Sequence, residues 1–138
     1  MSTGLKIFIT VITLAGVAIM LFFIFGVMLS GNKLSVEETT IVIGGIYSKN
    51  IKMNSIENLS VTETPPDFSE RVNGGSMGDL RVGYFLLENK EKVYVYIENY
   101  STPPFINFDY DGESMIINLK TSEETKNLYD EISKNLNN

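Results

Sequence analysis

The chain has 138 residues and a net charge of −6, from 17 acidic and 11 basic side chains, and it contains no cysteine, histidine or tryptophan. Without imidazole or thiolate, a Ser-His or Cys-His nucleophile is impossible within the chain, a disulfide is excluded, and the usual ligands for zinc, iron and copper are missing. The acidic balance excludes nucleic acid as an expected partner and predicts repulsion from anionic lipid headgroups.

The run from Ile7 to Leu29 carries no charge and no proline. Its polar side chains are Thr10 and Thr13, and a threonine can return its hydroxyl to a carbonyl one turn back. At ~1.5 Å per residue the run makes a helix of roughly 34 Å, against a hydrocarbon core of about 30 Å. A lone helix satisfies its own backbone polar groups in lipid. The run exceeds the h-region of a cleaved leader, and no A-x-A-like site follows it. Residues 1–33 therefore read as a retained transmembrane anchor with short flanks, and residues 34–138 as one small domain. Gly26-x-x-x-Ser30 is a small-xxx-small pair able to admit a second helix. Lys6 and the N-terminal amine outweigh Lys33 across the membrane, so the positive-inside rule predicts a single-pass protein with its domain outside the cytoplasm.

Ser30-Gly31-Asn32-Lys33 reads as a turn leaving the membrane. Residues 39–43 and 46–52 read as strands joined by a tight Gly44-Gly45 hairpin. A brief strand at 58–62 is stopped by Pro65-Pro66. Residues 67–79 (DFSERVNGGSMGD) are glycine-rich and polar, and read as a long loop. Strands follow at 81–87 and 92–97, around a turn at 88–91. In the second of these, Val93, Val95 and Ile97 alternate with Tyr94 and Tyr96. Strands at 105–110 and 114–119 flank Asp111-Gly112, a type I′ signal. Thr121 and Glu124 form a T-x-x-E capping box. Thr125, Leu128, Tyr129, Ile132 and Leu136 then recur at helical spacing. The expected domain is mainly β: about seven antiparallel strands in a strongly bent sheet or partly open barrel, with a C-terminal capping helix.

Arg71-x-Asn73-Gly74, Gly78 and Gly83-Tyr84-Phe85 stand at the centre of this domain. Pro103-Pro104-Phe105-Ile106, Ile116-Ile117-Asn118 and Thr125-x-x-Leu128-Tyr129 follow them. Together they resemble a group of bacterial pleckstrin-homology-like (PH-like) domains, over residues 34–136. The resemblance implies a seven-stranded, strongly bent sheet closed by a C-terminal helix. Members of the group often follow transmembrane segments. Phosphoinositide-binding members gather basic residues around the first hairpin. Here that hairpin is Gly44-Gly45 with Lys49 and Lys52 nearby, so a phosphoinositide ligand is not expected.

The candidate ligand-binding residues lie in the predicted loop. Gly74, Gly75 and Gly78 offer backbone N–H groups, Asn73 lies beside them, and Arg71 and Arg81 offer guanidinium groups for a carboxylate. The plain alternative pairs the two arginines with Glu70 and Asp79. Tyr94, Tyr96, Tyr100, Phe105, Phe108 and Tyr110 read as core. Asp109, Asp111 and Glu113 lack the EF-hand pattern and are explained by the Asp-Gly turn. No metal, cofactor or catalytic residue is expected. The function expected is a membrane-anchored, non-catalytic interaction module for a protein or peptide, or else an assembly subunit of a larger membrane complex.

Overall fold

A computed structural model describes residues 1–31 and 33–138 of the chain, without the side chains of Leu29 and Ser30. The predicted turn at Asn32 and the Ser30 side chain of the small-residue pair lie outside the described residues.

Helix α1 (Thr3–Ser30) is apolar on every side. Its segment Thr3–Met28 is long and apolar enough to cross a membrane, and none of it is buried against the rest of the chain. Thr10 and Thr13 donate to the carbonyls of Lys6 and Ile9, both at 2.9 Å, so the only polar side chains of the run are internally satisfied.

The domain has nine strands among the described residues, two more than the sequence predicts. Strands β1 (Leu34–Glu37), β2 (Thr40–Ile43) and β3 (Lys49–Lys52) form a three-stranded antiparallel sheet. A single 3-10 turn (Met53–Ser55) leads on to β4 (Glu57–Thr62), β5 (Phe68–Met77), β6 (Leu80–Leu87), β7 (Lys92–Ile97), β8 (Phe105–Tyr110) and β9 (Glu113–Asn118). These six form a second sheet in the order β4-β8-β9-β7-β6-β5. Helix α2 (Ser122–Leu136) ends the fold. The result is two sheets with a helix, and no closed barrel.

Three expectations need correction. The tight turn of the small sheet is Glu38-Thr39, with Glu38 at φ 55°, and it joins β1 to β2. Gly44-Gly45 instead opens a longer β2–β3 loop, residues 44–48. Gly44 donates to the Lys33 carbonyl at 2.9 Å and so still extends the β1 ladder. Second, the pairing is not wholly antiparallel: β9 lies between β8 and β7 and runs parallel to β7. The connection from β7 to β8 is held by Asn118, which is fully buried. Its side-chain amide donates to the carbonyls of Asn99, Thr102 and Pro104 and accepts from the Asn99 N–H. Third, residues 68–77 form the edge strand β5 and not a loop.

Asp111 and Gly112 have φ 51° and 76°, as a type I′ turn requires. The Thr121–Glu124 capping box is formed in both directions. Thr125, Leu128 and Ile132 are buried on α2, which packs over Met53–Ser55 and β8. With the small sheet, α2 seals one face of the six-stranded sheet, burying Ile41, Ile51, Met53, Tyr94, Tyr96, Ile106, Phe108 and Ile117. The opposite face carries Phe85, Val93, Val95, Ile97, Phe105 and Ile116. Strand β7 is therefore buried on both faces. Four of the six aromatic residues expected in the core are buried (Tyr94, Tyr96, Phe105, Phe108), and Tyr100 and Tyr110 are partly buried.

Candidate functional site

The predicted site residues fall on the β5–β6 hairpin, and they do not converge. Arg71 pairs in register with Phe85, and Arg81 with Ser76, so the arginines stand four residues apart along β6. That separation is about 13 Å. Arg81 donates to the carbonyls of Gly78 and Leu80, at 2.5 and 2.9 Å, and lies 5.1 Å over the Tyr100 ring. Asp79 accepts from Ser101, at 2.6 Å. Neither arginine is ion-paired among the described residues, where the one salt bridge joins Lys49 to Glu113. Gly78 makes the hairpin turn at φ 58°. A Cβ on Gly74 would meet the Val82 carbonyl oxygen at 2.6 Å, and one on Gly83 would meet the Asn73 oxygen at 2.6 Å. Gly74 thus serves close backbone approach, and Gly75 is buried. Arg71 and Asn73 remain exposed along the sheet edge.

A better-formed concavity lies on the second face of the large sheet. Strands β4 and β5 occupy opposite edges, yet only residues 63–67 connect them. Five strand spacings on a flat sheet would span about 24 Å. Six residue steps from Thr62 to Phe68 reach about 21 Å when extended. A flat sheet is therefore excluded, and the sheet must bend for residues 63–67 to join its two edges. Tyr100 donates to the Pro66 carbonyl at 2.7 Å, and Phe68 packs 4.8 Å from Phe85, which fixes this strap on the second face.

The core residues of this face are buried, and a concavity remains beside the strap. A cavity of about 460 Å³ is lined by Thr62, Thr64, Pro65, Pro66, Asp67, Leu87, Glu88, Asn89, Asn107 and Ile116. A second cavity, of about 200 Å³, shares Leu87, Asn107 and Ile116 and adds Asn58, Glu91, Val93, Asp109 and Ser114 among its walls. The two adjoin through these shared residues, with Leu87, Val93 and Ile116 at their base, and together are called the groove. Its polar wall is a hydrogen-bonded chain. Asn58 donates to Asp109 at 2.8 Å, and Ser114 lies 3.0 Å from the other Asp109 oxygen and 2.7 Å from Glu91. Four carboxylates (Asp67, Glu88, Glu91 and Asp109) line the groove, and no basic residue does. Sequence reasoning missed this site. Its signals are the Pro65-Pro66 strap and Ile116 on β9, but the partners are brought together by non-local pairing.

A second polar cluster sits at the seam between the sheets. Lys49 pairs with Glu113 at 2.6 Å, and Tyr84 donates to the other Glu113 oxygen at 3.0 Å. Burial works against both charges. The hydrogen bonds to one another and to Tyr84 nevertheless prevail, raising Lys49 and lowering Glu113. Burial, then the charges of Tyr84 and Glu113, pushes the Tyr94 hydroxyl well above the ordinary tyrosine range. Lys49, Glu113 and Tyr94 are thus each favoured in the charge state they hold near neutral pH. Alternation puts Glu113 on this side of the sheet and Asp109 on the groove side, so the hairpin carboxylates do not gather around one point.

Comparison of the chain with known protein families, with characterised proteins and with solved structures finds no match.

Proposed function

We propose that the chain is a single-pass, membrane-anchored, non-catalytic interaction module. In this reading α1 holds the protein in the bilayer, and the β domain stands outside the cytoplasm. Its ligand is an extended protein segment carrying Lys or Arg side chains. The observation that supports this reading is the groove under the strap: an apolar floor of Leu87, Val93 and Ile116, walled by four carboxylates with no basic residue. Such a groove suits an aliphatic stem with a cationic head, and the amides of Asn58 and Asn107 add hydrogen-bonding groups for a peptide backbone. The PH-like resemblance agrees with a small β domain closed by a terminal helix, and the parallel β7–β9 pair departs from it.

The test is photocrosslinking in native membranes, with a photoreactive side chain at Asn89 on the groove rim or at Lys126 on the exposed face of α2. The reading expects crosslinked protein at Asn89 only, lost when Glu88 and Glu91 are changed to lysine. An assembly subunit is the second reading, favoured by the exposed Val72 and Met77 on edge strand β5. It expects one stoichiometric complex, crosslinked from Val72 and indifferent to those charge reversals.

A further inference from the structure

The anchor and the small sheet meet at one end of that sheet. Strand β1 starts at Leu34, directly after the anchor exit, and β2 returns to the same level because Leu34 pairs with Ile43. Gly44 then donates to the Lys33 carbonyl at 2.9 Å, and a Cβ on Gly44 would lie 3.8 Å from the Gly31 carbonyl oxygen. The β2–β3 loop, residues 44–48, is thus placed beside the last turn of α1. The acidic turn that carries Glu37 and Glu38 lies at the other end of the sheet.

The loop is pinned on both sides of its tip. Gly44 is tied to Lys33, and the Tyr47 carbonyl accepts from the buried Tyr94 hydroxyl. Gly45, at φ 92°, turns the chain between these ties and presents Ile46, which is 56% exposed. The sequence Gly44-Gly45-Ile46-Tyr47-Ser48 carries no charge. With α1 in the bilayer, an exposed isoleucine in an uncharged loop beside the helix exit has lipid as its natural neighbour.

We propose that this loop is a second lipid contact of the protein, with Ile46 seated in the interfacial layer of the bilayer that holds α1. The contact is continuous with the anchor surface and rests on the anchor reading. It fixes the tilt of the β domain on the membrane.

The absence of tryptophan makes the test direct. Three full-length variants, Ile46→Trp, Phe22→Trp and Asn89→Trp, are reconstituted in phosphatidylcholine vesicles with and without brominated acyl chains. All three positions are exposed within the chain. The expected result is strong quenching by brominated lipid at Phe22→Trp, clear quenching with a blue-shifted emission at Ile46→Trp, and iodide quenching alone at Asn89→Trp. Quenching at Phe22→Trp with none at Ile46→Trp overturns the loop contact and leaves the anchor standing. No lipid quenching at Phe22→Trp overturns the anchor, and the loop contact with it. Equal lipid quenching at Ile46→Trp and Asn89→Trp also overturns the contact, because the domain would then have no defined membrane-facing side.

Discussion

The two faces of the six-stranded sheet are both apolar, but they are covered differently. One lies under a helix and a second sheet, with Ile41, Ile51, Ile117 and Ile132 fully buried. The other, with Val95, Ile97 and Phe105 also fully buried, is crossed by a five-residue strap and bordered by a groove with acidic walls. A face covered by secondary structure contributes stability through close packing. At the border of the second face the half-buried Leu87 leaves some apolar area beside the carboxylates. On the function proposed above, the first face serves stability and the groove beside the second serves recognition.

Substitutions can break that division. The largest effect is expected from Ile132→Ala on the sealed face, at about 4 kcal/mol of lost stability. Leu87→Ala in the half-buried groove floor should cost about 1 kcal/mol. Denaturant titration of the full chain in micelles checks both, and equal losses would erase the distinction between the faces. Gly83→Ala comes next. It combines φ 109° with a clash at the Asn73 oxygen, and is expected to cost about 3 kcal/mol and to loosen edge strand β5 in hydrogen exchange. Thr121→Ala removes the cap of the helix that seals the first face, for a loss of about 1 kcal/mol in the same titration.

The smallest effect belongs to the seam between the sheets. Glu113 is lowered from its ordinary 4.5, so its contribution is complete above that pH and is lost as pH falls through the lowered value. Lys49 is raised from 10.5, so its contribution is complete below that pH and is lost as pH rises through the raised value. Glu113 is 39% exposed, which limits the pair to a few tenths of a kcal/mol. Glu113→Gln should flatten the acid limb of the stability–pH profile by that amount. An unchanged acid limb would show that the pair does not act.

The parts legible in the sequence were those whose causes are local. Asp111-Gly112 specifies its turn through two positive φ values, Thr121 and Glu124 cap α2 reciprocally, and Thr10 and Thr13 answer their own helix. Strand β5 reads as a loop in the sequence because it is an exposed edge. Residues 69–73 all face solvent, so no alternation marks them. Strand β1 has four residues and little burial, too short a pattern to register. The clean alternation in β7 was real, yet it did not mark one wet face, because a second apolar layer covers the valines. The parallel β7–β9 pair and the strap depend on contacts distant in sequence, and the groove they create was invisible for the same reason.

The claim that the open face is the recognition face is tested most directly by cysteine footprinting, since the chain has no cysteine of its own. Asn89→Cys on the groove rim and Lys126→Cys on α2 are treated with a membrane-impermeant maleimide in native membranes, before and after a wash in ~1 M salt, which screens a charged partner from its site. A partner in the groove leaves Asn89→Cys protected before the wash and labelled after it, while Lys126→Cys labels equally in both. Equal labelling of Asn89→Cys before and after the wash would contradict it.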